Sequence, residues 1–392
     1  MNPVICSIAR TPIGTFNGVY SPLTAVDLGA VAIRGALQRA GLEPGLVDEV
    51  LFGHVIQAGQ GQITSRQAAV KAGIPMTVPA TTINKVCLSG MTAIQEAANH
   101  IRLGESTFVV AGGMESMTNA PYLLPNARSG FRMGDATAVD AMTHDGLFCS
   151  FDSCMMGESS DLKNTDLSIG REEQDRWSEE SHTRAAAAAD SGLFEREIVA
   201  VEVPARRGDP VVVTQDEGIR RETTIESLGK LRPAFNAGGT ITAGNASQIS
   251  DGAAAVVVAD RDAAEAAGLP VLAEIVAYGQ VAGPDATLHE RPAEAISMAL
   301  KRAGLEVDDI DLFEMNEAFA SVAMYSAQML GVDHNKVNVH GGAVALGHPL
   351  GATGARLVVT LISALQATGG TLGASALCGG GGQGDALIVR MI

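Results

Sequence analysis

ALQRAGLE at residues 36–43 and ALKRAGLE at residues 299–306 differ at a single position. Each is followed by a few polar residues and then an apolar run, VLFGHV at 50–55 and DLFEMN at 311–316. Two such stretches at an offset of 263 residues mark an internal duplication. The echo continues as helix, glycine and strand, CLSGMTAIQEAANHIRLGESTFVVAGG at 87–113 and GATGARLVVTLISALQATGGTLGASALCGG at 351–380. In the second copy the turn runs straight into DALIV, whereas in the first GGMESM is separated from SDGAAAVVVAD by residues 119–247. One unit is therefore used twice, with 129 residues inserted at a turn of the first copy. The first copy comprises 1–118 with 248–268, and the second 269–392.

Each copy alternates helices with apolar strands, which predicts an α/β layered architecture with helices covering mostly parallel strands. The strand candidates are Phe108–Ala111, Ala253–Val258, Asp311–Met315 and Gly373–Leu377. From Cys87 the apolar positions Met91, Ile94, Ala98 and Ile101 keep helical spacing, and Gly104 stands at the expected C-terminal cap. Pro292 opens a second helix that Gly304 closes. The insertion holds the only tryptophan, Trp177, and the acidic amphipathic stretch REEQDRWSEESHTRAAAAAD, and it reads as a lid or loop domain.

Composition narrows the function. A chain with 46% hydrophobic and 18% charged residues suits a well-buried globular protein. A net charge of -17 argues against a general nucleic-acid or anionic-membrane surface, which needs clustered Lys and Arg. An anionic substrate requires a local basic exception. No run approaches transmembrane length on this reading. Five cysteines without a CxxC pair speak against a disulfide framework or structural zinc, and favour a reducing, cytoplasmic setting.

Four residues are candidates for chemistry. Cys87 is placed at the first turn of its helix, where the positive end of the dipole favours a thiolate; an inert buried cysteine fits the same spacing. His348 lies among glycines in HGGAVALGHPLGATGAR, as a base, a donor or a structural histidine. Asn316 begins NEAFA at a strand end, where α/β folds place sites, though a helix N-cap is the plain alternative. Cys378 opens CGGGGQG between two apolar runs. Because the last eight residues read as a strand, those glycines do not introduce a helix that would cradle a dinucleotide. The position duplicated in the first copy is Ala111, so the copies share a scaffold and not a chemistry.

NKVCLSGM, GGMESM, NEAFA, GGAVALGHPLGATGAR and CGGGGQG, in that order and over almost the whole chain, resemble the thiolases, acetyl-CoA acyltransferases of a duplicated fold. The resemblance implies two similar βαβαβαββ halves in an α/β/α/β/α arrangement with a loop-domain insertion. It implies that Cys87 takes an acyl group from a coenzyme A thioester after His348 has helped deprotonate it, and that Cys378 moves a proton at the carbon α to the second thioester. By the same resemblance His348 and a water held by Asn316 stabilise the enolate oxygen, while the N–H groups of Cys87 and Gly380 hold the tetrahedral intermediate. A side chain at Gly380 would then disturb the approach of the acyl carbonyl.

Coenzyme A contacts carried over in this way fall on Arg220, Ser227, Phe235, Ala243, Gly244 and Ser247 of the insertion and on Ala318 and Phe319, with Met156 beside the acyl group. Positive charge in RR and KLR supplies the basic exception. The segment YLLPNARSGFRMGD, with Arg128 and Arg132, resembles a tetramerisation loop and implies a homotetramer. Two thiols in one site need no metal or redox cofactor. Expected partners are acetyl-CoA, acetoacetyl-CoA or another 3-ketoacyl-CoA, and coenzyme A, without nucleic acid or membrane. Biosynthetic relatives commonly place a histidine before Met-Gly where this chain has Cys154, Met155, Met156 and Gly157, which leaves a longer-chain 3-ketoacyl-CoA as an alternative substrate. A non-catalytic acyl-CoA binder and a cysteine hydrolase are the rivals from other classes. Condensing enzymes of the same fold would carry a second histidine at Asn316 and no counterpart of Cys378.

Overall fold

The computed structural model describes residues 1–205 and 207–392. The first copy runs β1 (Pro3–Arg10), α1 (Ala25–Ala40), β2 (Glu49–Gly53), α2 (Thr64–Lys71), β3 (Ala80–Ile83), α3 (Ser89–Leu103) and β4 (Phe108–Ser116). The inserted segment carries α4 (Met156–Asp166) and α5 (Arg171–Asp190), and the first copy closes with β5 (Ser250–Asp260). The second copy has β6 (Ala273–Ala282), α6 (Arg291–Ala303), β7 (Leu312–Met315), α7 (Ala320–Leu330), α8 (Leu350–Thr368), β8 (Leu372–Gly379) and β9 (Gln383–Met391). The repeated octapeptides are the last turns of α1 and α6, each stopped by a left-handed glycine, Gly41 at φ 67° and Gly304 at φ 66°. Gly104 caps α3 in the same way.

Strand order is β3-β2-β4-β5-β1 in the first copy and β7-β8-β9-β6 in the second. A parallel bridge from Phe313 to Val337 stands where the second copy would hold its remaining strand. The expectation of mostly parallel pairing needs correcting. All strands of a copy but the last run the same way, yet that last strand, β5 or β9, lies between two others and is antiparallel to both. Among the strands named above, parallel pairing survives in β2–β3, β2–β4 and β7–β8. The reason is local: β8 turns into β9 through Gly381 and Gly382, at φ 80° and 68°, and a tight turn can only join antiparallel neighbours. The two sheets meet edge to edge where β1 pairs β6 at Val4↔Glu274 and Ile5↔Ala273.

Five layers result. Met91 and Ile94 of α3 and Leu357, Val358 and Leu361 of α8 share one core with Val256 of β5 and Leu377 of β8. Outside the first sheet, Leu28 and Ile33 of α1 pack on Val50 and Phe52. Outside the second, Ile296 and Ala323 pack on Phe313 and Ile388. A helix between two sheets has no wet face, so α8 is apolar all round. It has 19 residues, and an 18-residue window of it averages a hydropathy of 1.4, enough to span a membrane by length and composition, contrary to the sequence-based expectation. Here 89% of that window is buried inside the protein.

Candidate active site

Cys87 sits just before α3 and not in its first turn, since helical structure begins at Ser89. Val86 is left-handed at φ 50°, an uncommon and strained conformation for a β-branched residue. Asn84 Oδ1 accepts from Val86 N at 3.1 Å, and Ser89 Oγ accepts from Lys85 N at 2.8 Å while donating to Val86 O at 2.6 Å. The locked turn leaves Cys87 lining a cavity although it is only 5% exposed. Burial pushes its thiol up to about 12, against the pull of the backbone N–H groups of Cys87 itself and Gly380. Desolvation thus opposes the thiolate that a helix start favours, and the nucleophile needs a base.

His348 is the candidate for that base. It lines the same cavity and is held neutral, burial lowering it to about 3. Its Nδ1 lies 2.6 Å from Thr353 Oγ1, whose own proton goes to Pro349 O at 2.9 Å. The hydroxyl oxygen therefore accepts from Nδ1–H, which leaves Nε2 with its lone pair free to take a proton. Asn316 Nδ2 faces Nε2 at 3.4 Å, and Asn316 Oδ1 is buried with no partner in the protein. An unpartnered buried carbonyl is an acceptor in wait for a water.

Cys378 ends β8, is 1% exposed, and is raised by burial and by the neighbouring Cys87. Tertiary ties hold the two thiols together. Lys85 Nζ reaches Asp385 Oδ1 at 2.7 Å, and Thr92 Oγ1 donates to Asp385 Oδ2 at 2.8 Å, so the Cys87 turn is pinned to β9. Buried Glu115 accepts from Val55 N, Ile56 N and Gly351 N, fixing the start of α8 against the first copy. Buried Glu317 accepts from Trp177 Nε1, Ser181 Oγ, Asn338 Nδ2 and Val344 N, joining α5 to the segments on either side of Asn316 and His348. Within the glycine cluster the protein itself crowds Gly379 and Gly382 more than Gly380. A Cβ at Gly380 would touch Val86 at an ordinary 3.4 Å, whereas one at Gly379 would meet Leu88 Cγ at 2.5 Å.

The cavity holds about 620 Å³. Cys87, His348 and Cys378 line it together with Met156, Ala318 and Phe319. Arg220, Phe235, Ala243 and Ser247 reach it from the insertion. Four predicted residues do not line it: Asn316 stands behind His348, Gly380 behind Cys87, Gly244 against Leu228 and Leu231, and Ser227 on the surface in a capping box with Thr224. Sequence reasoning missed Leu147, Met155, Leu288 and Leu350, which make the inner wall apolar, and Thr353, which orients His348. Thr353 carries the one usable signal, five residues after His348 at the start of a helix. Of the others, Leu288 lies in a loop, Leu147 and Met155 end short elements and Leu350 opens α8, and no periodicity marks them as cavity lining.

Comparison with known proteins bears on this constellation. The family described as thiolase, N-terminal domain, matches residues 3–262, and thiolase, C-terminal domain, matches 269–391. A probable acetyl-CoA acetyltransferase of Mycobacterium tuberculosis is 52% identical over 387 residues, covering 99% of this chain and 98% of its own. The acetyl-CoA acetyltransferase of Escherichia coli is 48% identical over 392 residues, covering 100% of this chain and 99% of its own. Among solved structures, the Bacillus anthracis acetyl-CoA acetyltransferase superposes with a TM-score of 0.96 at 41% identity, covering 100% of this chain and 99% of that one.

Proposed function

The chain belongs to the thiolase family, and from that premise we propose that it is an acetyl-CoA acetyltransferase that makes and cleaves acetoacetyl-CoA through an acyl-Cys87 intermediate. The observation that carries the reading is two thiols and a neutral imidazole lining one cavity. In thiolysis His348 Nε2 takes the Cys87 proton and the sulfur attacks the ketone carbon of the 3-ketoacyl-CoA. The carbon–carbon bond breaks, and the leaving acetyl-CoA enolate takes a proton from Cys378. The Cys378 thiolate then takes the proton of the coenzyme A thiol, whose sulfur attacks the acyl-Cys87 thioester; the second acyl-CoA is released and the departing Cys87 sulfur takes its proton back from His348.

The resting Cys87 sulfur already lies within reach of the N–H groups of Cys87 and Gly380, the pair assigned to the tetrahedral oxyanion. Asn316 Oδ1, buried and unpartnered, supports a water there that serves the enolate with His348. Thiols, imidazole and N–H groups provide for each bond and proton in the cycle, so no cofactor beyond the coenzyme A substrates is required. Rates of thiolysis on acetoacetyl-CoA against a longer 3-ketoacyl-CoA test the substrate assignment. A clear preference for the longer chain would shift it to a degradative thiolase, an option that the apolar wall of Leu147, Met155 and Leu288 keeps open.

Asn316→Ala is expected to lower kcat roughly 10²- to 10³-fold with little change in KM, the scale for one lost donor aimed at developing charge. Arg220→Ala is expected to do the reverse, raising KM for coenzyme A about tenfold, the low end for a hydrogen bond to a charged group, at near-parental kcat. A full coenzyme A titration of both variants checks this, and an Asn316→Ala effect confined to KM would withdraw the oxyanion role.

The same reading includes a homotetramer in the cytoplasm. Tyr122, Leu124, Phe131 and Met133 of the proposed tetramerisation loop are 70%, 54%, 50% and 99% exposed, apolar surface that suits burial between copies. Sedimentation velocity is expected to show tetramers for the full chain and smaller species when residues 124–133 are replaced by a short Gly-Ser link. The five cysteines are free, in keeping with a reducing compartment.

A further inference from the structure

The hairpin that bounds the inner cavity carries a second pair of thiols, unused in the mechanism above. Phe148–Cys149 and Cys154–Met155 form a two-stranded antiparallel ladder in which Cys149 stands directly opposite Cys154. Such partners share a face, with Cβ atoms roughly 4.5–5.5 Å apart. A disulfide asks for about 3.5–4.5 Å. Closing the pair thus takes a movement on the order of 1 Å at the neck of the loop formed by residues 150–153. Both cysteines are free, Cys149 buried and Cys154 half-buried and open to a reagent. The N–H of Asp152 donates to Cys149 Sγ at 3.4 Å.

The placement of this hairpin gives the pair a consequence. Gly146 and Leu147 lead into it and Met155, Met156 and Gly157 follow it, and all five line the cavity, while neither Cys149 nor Cys154 does. At the tip Phe151 lies against Gly381, where a Cβ would come within 3.0 Å of its ring, next to the Gly380 that faces Cys87. A change at the neck is therefore felt on both sides of the reacting sulfurs.

We propose that Cys149 and Cys154 form a reversible dithiol–disulfide site, oxidised by a low-molecular-weight disulfide, whose closure tightens the acyl end of the cavity. The Cys154 thiolate attacks one sulfur of the reagent, its sulfur–sulfur bond breaks, and one thiolate leaves and takes up a proton. The Cys149 thiolate then attacks Cys154 Sγ in the mixed disulfide, expelling the second thiolate, which is protonated in turn. Two protein thiols are oxidised to one disulfide, and one small disulfide is reduced to two thiols. Burial, Glu158 and Asp152 hold the Cys154 thiol above its ordinary range. Its attack is slow at neutral pH and quickens as pH rises. Cytosolic disulfides, where they occur, are of this transient, redox-sensing kind.

The disulfide itself stands apart from the acyltransferase reading, and only its catalytic effect rests on that reading. The full chain is reduced, incubated with oxidised glutathione, alkylated and digested without reductant. Peptide mapping is expected to show a Cys149–Cys154 link that dithiothreitol reverses and that Cys154→Ser abolishes. A stable mixed disulfide on Cys154, or both cysteines alkylated after exhaustive oxidation, would overturn the site. Cys87 and Cys378 are read on their own peptides. Before oxidation Cys154→Ser is expected to match the parent in thiolysis of acetoacetyl-CoA. After it, the parent's KM for 3-ketohexanoyl-CoA relative to acetoacetyl-CoA is expected to rise about tenfold, within the reach of a displacement on the order of 1 Å, and that of Cys154→Ser to stay constant. An unchanged ratio in fully linked protein, or an equal change in both proteins, overturns the tightening. Absence of thiolysis in every sample, reduced or oxidised, instead overturns the acyltransferase reading and leaves the mapping to decide the disulfide.

Discussion

Cys87→Ala is expected to abolish acyl transfer, with thiolysis of acetoacetyl-CoA falling on the order of 10⁴-fold or more. The size follows from the cavity. Cys87 is the thiol whose sulfur lies within reach of two backbone N–H groups, its own and that of Gly380, so the carbonyl it attacks has donors already in place. Cys378 has no second such donor and is pushed further up by burial and by Cys87. Transfer of the reaction to it would discard the oxyanion site along with the nucleophile. Incubation of the parent with acetyl-CoA should acetylate Cys87 and leave Cys378 free, as read by peptide mass spectrometry. Acetyl on Cys378 with Cys87 unmodified would reverse the assignment. Far-UV circular dichroism guards against a folding defect, since Cys87 also packs in the core between the sheets.

Cys378→Ser is expected to separate the two half-reactions. Acetylation of Cys87 should continue near the parental rate, because its base, its donors and its turn are untouched. Exchange of the acetyl-CoA methyl protons with deuterated water should fall on the order of 10²- to 10⁴-fold, the range of a positioned acid–base group. A hydroxyl is a far weaker acid than a thiol and is not deprotonated in a site that already raises thiols by burial. Proton NMR of acetyl-CoA in deuterated water with catalytic enzyme measures it directly. Exchange at the parental rate would remove Cys378 as the base and leave its place at the end of β8 without a chemical explanation.

The rigidity that both predictions assume comes from charge buried at the joints. Arg10 is fully buried, with Glu197 at 2.6 Å from its Nε and Asp216 at 2.7 Å from Nη1, and the N–H of Ile13 donates to the same Asp216. That network fastens the insertion to β1. Buried pairs are weak evidence of stability, because desolvation offsets their attraction, but removing one partner is expensive. A precise hold on geometry, more than added stability, is what such pairs offer the cavity. Glu317 has the same office between α5 and the Asn316 segment, with four donors satisfying its carboxylate.

The parts of this protein legible in its sequence are those with a local cause. The octapeptides at 36–43 and 299–306 announced the duplication because both must end a helix on a left-handed glycine. Phe108–Ala111, Ala253–Val258 and Gly373–Leu377 lie inside longer strands, their apolar runs reflecting burial on both faces. Motif order placed Cys87, His348 and Cys378 as candidates for one site, and apolar runs around them implied shelter from water. What periodicity could not register is whatever depends on a partner far along the chain. Lys85 and Asp385 are 300 residues apart, and nothing near either predicts that they meet. The place of β5 between β4 and β1 follows from pairing across the inserted segment, which a one-dimensional pattern does not encode. The balance of effects on the Cys87 thiol was beyond the sequence for the same reason. A helix start was visible in the sequence and argued for a thiolate, while the burial that overrides it is created only when both sheets close around the turn. The sequence by itself determined which residues are candidates for the chemistry; the tertiary structure decided their charge, their spacing and which oxygen and nitrogen atoms face them, because desolvation and long-range hydrogen bonds exist only in the folded chain.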